Sequence, residues 1–196
     1  MLECMLDLET MSSTPTATII AIGAILFEAE GPYVSQPGSN PPGIEFYEKV
    51  SLDSSMQSGA TVDASTILWW LQQSDESRQE LLKGPHYNIN EAMQHFGTWY
   101  KASGATHLWG HGSCFDEVIL RNAYLRNATP IVWDFRNVMD TRTLFRATPG
   151  YGVEFKLSRD GKHIAIWDAW RQAQAVQWCF KKIRSLTPIP QEVAAQ

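Results

Sequence analysis

Met5-Leu6-Asp7-Leu8-Glu9-Thr10-Met11 sets two carboxylates into an apolar run near the start of the chain. In an extended strand alternate side chains share a face, so Asp7 and Glu9 point one way while Leu6 and Leu8 point the other. Two like charges at i and i+2 repel, and an ionised side chain on a buried strand costs roughly several kcal/mol unless something compensates it. A divalent cation between the two acids would compensate it. So would water, if the strand lay at a wet sheet edge, and the dipeptide pattern alone leaves both readings open. The choice falls to the rest of the chain.

Working outward, residues 3–9 form a first strand and Ile-rich residues 18–28 a second, with the loop Ser12-Ser13-Thr14-Pro15-Thr16 between them. Residues 31–43 carry four of the ten prolines and three glycines, which suits a long surface excursion inside the domain. Ile44, Phe46 and Glu48 alternate with their neighbours as a third strand closing an antiparallel meander. Helical spacing follows. The pattern predicts a helix over 61–73 capped by Asp63 or Ser65, another capped by Ser74, and a third capped by Asn90 and ended by Gly104. Residues 106–109 read as a short buried strand, followed by the turn Gly110-His111-Gly112-Ser113-Cys114 and a helix over 115–127. Residues 130–133 read as one more strand. Asp140 caps a short helix, and after the Asp160-Gly161 turn a long helix covers 164–183. Strands first and β-α units afterwards imply an α/β domain with a mixed sheet, three antiparallel strands followed by parallel additions, flanked by helices.

The 196 residues suffice for one domain with its own core, and we read 1–196 as a single unit with its core at about 3–183 and a tail over 184–196. Three widely spaced cysteines, Cys4, Cys114 and Cys179, contain no C-x-x-C pair and read as free thiols in a reducing compartment. Acids interrupt the N-terminal run where a secretory signal would need apolar residues, and no apolar run approaches the roughly 20 residues of a bilayer span. A cytoplasmic protein without membrane contact is expected. A net charge of −5 argues against coating of nucleic acid through phosphate contacts alone, but not against an enzyme that holds a few nucleotides beside bound cations. Eight tryptophans exceed what packing alone requires.

Two further acids stand where an α/β fold presents chemistry. Asp116 opens a helix directly after a strand, a position that the helix dipole would also explain. Asp168 lies among Ile166, Trp167, Ala169 and Trp170, where an unpaired acid would be expensive. His163 precedes it by five residues, about 140° around a helix, so the two can share a site only if His163 sits in the lead-in to the helix. Carboxylate clusters favour Mg²⁺ or Mn²⁺ over zinc, and a pair of such ions can hold the attacking and leaving oxygens of a phosphodiester. A histidine near neutrality suits removal of a proton from the attacking water.

Asp7-Leu8-Glu9-Thr10, Phe115-Asp116 and His163-Ile164-Ala165-Ile166-Trp167-Asp168 resemble the three motifs of the DEDDh 3'-5' exonuclease superfamily, including its five-residue His-to-Asp spacing. Within it, Ile67-Leu68-Trp69-Trp70-Leu71-Gln72-Gln73-Ser74-Asp75-Glu76-Ser77-Arg78, Trp109-Gly110-His111-Gly112 and Asp140-Thr141-Arg142 are similar to phage and prophage enzymes grouped with exodeoxyribonuclease VIII and with a mycobacterial exoribonuclease. The resemblance covers about residues 5–178. It implies an RNase H-like fold, two Mg²⁺ or Mn²⁺ ions on Asp7, Glu9, Asp116 and Asp168, and His163 as general base. Asp7 would bridge both ions, with Glu9 and Asp168 on one and Asp116 serving the other. It also implies release of 5'-mononucleotides from the 3' end of mainly single-stranded DNA, with trimming of RNA tails as the alternative and a silent nucleic-acid-binding module as a second. The implied setting is a bacterial cytoplasm, with a phage-encoded origin and a homodimer as further options. Trp167 replaces an acid common in the family's last motif.

Thr10 and Met11 match positions that contact the terminal nucleotide, and Trp69, Trp70, His111 and Phe115 complete the expected substrate-binding set. Trp69 and Trp70 point about 100° apart on a helix, so one can be core while the other stacks on a base, although core is the commoner place for each. Lys156, Arg159 and Lys162 are positioned to touch phosphates or to form an exposed basic loop.

Overall fold

Alternation along the first strand decides how the layers assemble. In the computed structural model, which describes residues 1–156 and 162–186, β1 (Leu2–Thr10) sends Cys4, Leu6 and Leu8 into one hydrophobic cluster and Met5 into another on the opposite face. Asp7 and Glu9 share the Met5 face. β2 (Ile19–Glu28) and β3 (Glu45–Lys49) continue an antiparallel meander, whereas β4 (Leu108–Gly110) and β5 (Val138–Asp140) run parallel to β1, giving the order β3-β2-β1-β4-β5. This is the mixed sheet that the sequence pattern implies. β1 is therefore central, so its acids face protein on both sides and the wet-edge reading falls.

The helices divide between the two faces. The Leu6 face is covered by α4 (Ile89–Ser103) and α5 (Asp116–Arg126), whose Met93, Phe96, Ile119, Leu120 and Tyr124 are fully buried. The Asp7 face is covered by α6 (Thr141–Ala147) and α7 (Ala165–Leu186), which packs Ala169, Ala173, Val176 and Cys179 onto the sheet. One glycine sets the depth of that packing. Gly23 pairs with Asp7 across the β1–β2 ladder, and a Cβ there would lie 2.3 Å from the Ala165 carbonyl carbon. The first turn of α7 can reach the sheet beside Asp7 only because β2 has no side chain at that point.

Three short helices complete the chain between the sheet's two halves: α1 (Leu52–Gln57), α2 (Ala64–Leu71) and α3 (Asp75–Leu82). Asp63, Ser74, Asp140 and Gly104 cap as the sequence predicts. Asn88, not Asn90, caps α4, because Asn88 and Glu91 form a reciprocal capping box. α1 is an addition to the sequence reading. It is one short turn-and-a-half begun by Ser51, below the length at which periodicity speaks. The strand expected over 130–133 is absent, and the strand following α5 is Val138–Asp140 instead. Ile131, Val132 and Trp133 are apolar but serve as irregular packing against the core, with Trp133 Nε1 donating to Glu117 Oε1 at 2.8 Å. All three cysteines are free thiols, and among the described residues no helix is long and apolar enough to cross a membrane.

Candidate active site

β1 and β4 are parallel, so their carboxyl ends open on the same edge of the sheet, where α/β folds build sites. Asp7 and Glu9 come from β1, whose ladder with β2 shifts register immediately after Glu9. Asp116 comes from the start of α5 behind the loop that leaves β4. Its Oδ1 accepts from the Leu8 N–H at 3.1 Å and its Oδ2 from the His111 N–H at 2.7 Å, which ties the two strand ends together through one carboxylate. Asp168 comes from the first turn of α7, held over β1 by the close approach at Gly23. Asp7, Glu9 and Asp168 each offer a carboxylate oxygen within 4.8 Å of the others. Asp116 stands just outside this trio and adds its charge to both β1 acids.

His163 enters from the segment ahead of α7. Its φ of +63° keeps it out of the helix, and its N–H donates to Asp168 Oδ2 at 2.7 Å. The left-handed residue thus solves the angular problem posed by a five-residue spacing: a helical His163 would point about 140° away from Asp168. The imidazole packs edge-on against Trp69, ring centres 4.7 Å apart, and more loosely against Trp70 at 6.3 Å. The other Asp168 oxygen is paired with Arg171, a guanidinium only 3 % exposed.

Charge is unbalanced here. Burial, reinforced by Asp116, Asp168 and Glu9, pushes the Asp7 carboxyl well above the usual carboxylate range. Burial does the same to Glu9, with Asp168 and Asp116 adding to it and Arg171 opposing. Asp116 rises to about 6, again through burial, against the pull of its backbone N–H donors. His163 moves the other way: burial lowers it, Asp168 opposes, and Lys162 and Arg171 lower it further. Glu9 Oε1 is buried without a hydrogen-bond partner among the described residues. An oxygen-only cluster holding an orphaned carboxylate oxygen fits a hard divalent cation of the Mg²⁺ or Mn²⁺ kind.

The acids and histidine line a cleft of about 490 Å³ together with Thr10, Trp69, Trp70, His111 and Phe115. The two tryptophans split. Trp70 is buried and donates from Nε1 to the Thr10 carbonyl at 2.9 Å, whereas Trp69 is 40 % exposed and so departs from the commoner core role. Met11 is not brought to the cleft. It follows the register shift after Glu9 and lines a neighbouring apolar groove with Ile20, Val50 and Leu52. Trp167 also lies elsewhere, edge-on to Trp170. Lys162 reaches the cleft, Lys156 is not among its lining residues, and Arg159 and the Asp160-Gly161 turn lie outside the described residues.

The sequence reading missed Ser12, Ser13, Thr66, Arg142, Arg171 and Gln172, which line the same cleft. Arg171 and Gln172 stand three and four residues beyond Asp168, the spacing that places helical side chains on one face, and that signal was available. Arg142 was visible only as part of a motif. His111 is oriented by Thr141, whose Oγ1 donates to the Gly110 carbonyl at 3.1 Å and is hydrogen-bonded to His111 Nδ1 at 2.8 Å. Burial, with Arg142, lowers the His111 imidazole, and Asp140 and Asp168 oppose.

Comparison with known proteins places this chain in a family. No curated protein sequence matches the chain. Among solved structures, the RNase domain of the yeast Pop2 protein superposes with a TM-score of 0.52 at 11 % identity, covering 94 % of this chain and 76 % of that one. E. coli Exonuclease I in complex with a dA16 oligonucleotide also gives 0.52 at 16 % identity, covering 97 % of this chain and 46 % of that one, so the chain spans just under half its length. At such identities these likenesses speak for the fold, which is RNase H-like as expected. The model of the 3'-5' exoribonuclease Rv2179c-like domain matches residues 2–180, which include every acid and the histidine of the cleft. The chain belongs to the family of Rv2179c-like 3'-5' exoribonuclease domains and is a 3'-5' exonuclease of the DEDD superfamily.

Proposed function

We propose that this exonuclease removes 5'-mononucleotides from the 3' end of RNA, using two divalent cations and His163 as general base. The observation that carries the chemistry is the Asp7, Glu9 and Asp168 trio with the orphaned Glu9 Oε1, beside a histidine lowered below its ordinary value. Asp7, Glu9 and Asp168 would hold one Mg²⁺ or Mn²⁺ ion and Asp7 with Asp116 the other. Bound there, the pair supplies positive charge that activates water and neutralises the phosphodiester. The residues of the chain do the rest. His163, neutral and fixed by the Asp168 contact, takes a proton from the attacking water. Lys162 and Arg142 at the cleft wall carry charge suited to the phosphates, and the exposed Trp69 offers a ring for a base. Thr10 sits where the terminal nucleotide enters.

RNA is preferred over the DNA that the sequence reading ranked first, because the matching family is described as exoribonucleases. The hydroxyls of Ser13 and Thr66 at the cleft support it, being of the kind that pairs with a ribose 2'-OH. The silent-module reading has little left, since all five chemical positions are occupied and assembled. The test is degradation of 5'-labelled single-stranded RNA and DNA of equal sequence, with Mn²⁺ or with chelator. Shortening from the 3' end, faster on RNA and absent in chelator, is expected. Faster loss of DNA would reverse the substrate assignment, and chelator-resistant cleavage would defeat the metal mechanism.

A further inference from the structure

α7 carries two buried glutamines on its protein-facing side, and they differ. Gln177 is fully buried with both ends of its amide occupied: Oε1 accepts from the Val34 N–H at 3.0 Å, and Nε2 donates to the Glu28 carbonyl at 2.9 Å and to that of Pro32. It is a structural clasp on the loop after β2. Gln172 is 5 % exposed and only half engaged. Its Nε2 donates to Asp7 Oδ1 at 2.8 Å, while Oε1 is buried without a partner among the described residues. Turning the amide end for end does not cure this once a cation is bound, because Asp7 is then ionised and only accepts, so the nitrogen must face it.

An unsatisfied buried acceptor is costly, and the helix neighbours Ala165, Ala169, Ala173 and Val176 show that apolar residues pack on much of the same side of α7. Gln172 lines the cleft, so the missing donor has a place from which to come. Two kinds of donor enter such a site: water carried by a divalent cation, and a sugar hydroxyl of the substrate. Asp7 is the acid that the proposed reading assigns to both cations. The group that holds Asp7 from behind therefore stands next to the cations before any nucleic acid arrives, which favours water.

We propose that Gln172 is a positioning residue of the metal site, its Nε2 fixing the Asp7 carboxylate and its Oε1 accepting a hydrogen bond from cation-bound water. The inference rests on the metal-dependent reading of the cleft. It is tested by calorimetric titration of the full chain with Mn²⁺, without nucleic acid, for the wild type, Gln172→Met and Gln172→Asn. Met keeps the length without either hydrogen bond, and Asn keeps the amide one methylene short of Asp7, so either variant serves if the other does not fold. The expected result is a 10- to 100-fold weaker Mn²⁺ Kd, the range typical for loss of a group that orients a metal ligand, with the melting midpoint in chelator not lowered. A Kd changed by less than about threefold overturns the inference, and if KM for RNA rises at the same time the missing donor is the sugar hydroxyl. Failure of the wild type itself to bind Mn²⁺ would instead defeat the metal-dependent reading, so the two failures are distinguishable.

Discussion

Asp7→Asn should make the metal-free protein more stable while destroying its activity. In the absence of cations Asp7 is compressed against Glu9 and Asp168, with ligand oxygens within 4.8 Å, and against Asp116 beyond them. At an effective dielectric near 20, two full charges at that separation repel by about 3 kcal/mol. The protein relieves part of this by holding protons, as the raised carboxyls show, so the remaining gain from deleting one charge is about 1–2 kcal/mol. For a chain of this length that corresponds to a rise of about 3–6 °C in the melting midpoint. Asparagine keeps an Oδ1 that accepts from Gln172 Nε2, so the hydrogen bond at this position survives. The sign with pH follows from linkage. Carboxyls raised in the folded state bind more protons there than in the unfolded chain, so wild-type stability falls as pH rises from about 4 through the folded values, one of which, for Asp116, is about 6. The variant's advantage should therefore be largest at pH 7–8 in chelator, shrink near pH 5, and reverse in Mn²⁺, which stabilises the wild type by binding. Thermal melts under those conditions decide it. An Asp7→Asn midpoint equal to or below that of the wild type in chelator at pH 7.5 would refute the electrostatic reasoning, as would equal Mn²⁺ stabilisation of the two proteins.

Gly23→Ala places a methyl group against the α7 backbone, which must shift, and it should cost about 1–3 kcal/mol by overpacking. Activity should fall more than the loss of stability explains, because Asp168 and His163 ride on the displaced turn; normal kcat in a folded variant would contradict this role. His163→Ala should lower kcat by about 10²–10⁴-fold with Mn²⁺ affinity little changed, as measured by calorimetry beside a steady-state assay. Because burial lowers the imidazole, its base-competent form persists to lower pH, and the acid limb of kcat/KM in the wild type should have its midpoint below 6.5; a midpoint above that value would count against His163 as the base. Trp69→Ala should raise KM for single-stranded substrate about 5- to 100-fold, the worth of one stacked base, while leaving the melting midpoint nearly unchanged because the ring is 40 % exposed. An unaltered KM would show that the ring only braces His163.

The sequence by itself determined the elements whose physics is local. Alternation along residues 3–9 and 18–28 reports a pleated surface, and caps such as Asp63, Ser74 and Asp140 act within three residues of themselves. Asp168 stood out because an unpaired acid in an apolar helix is expensive, but Asp7, Glu9, Asp116 and His163 joined it as candidates only through the resemblance of their three motifs. Tertiary structure decided what depends on distant parts of the chain. Whether β1 was an edge or a centre hung on β4 pairing with it from about 100 residues away, and that pairing turned two ambiguous acids into a buried cluster. Short β5 is a strand only because β4 is beside it, and three residues are too few to show a period. The different fates of Met11 and Thr10 follow from a register shift between Glu9 and Thr10, and those of Trp69 and Trp70 from the way α2 packs over the cleft. The depth of α7 over the site was set by a missing side chain at Gly23, and a sequence names the residue that is absent without naming what comes to fill its place.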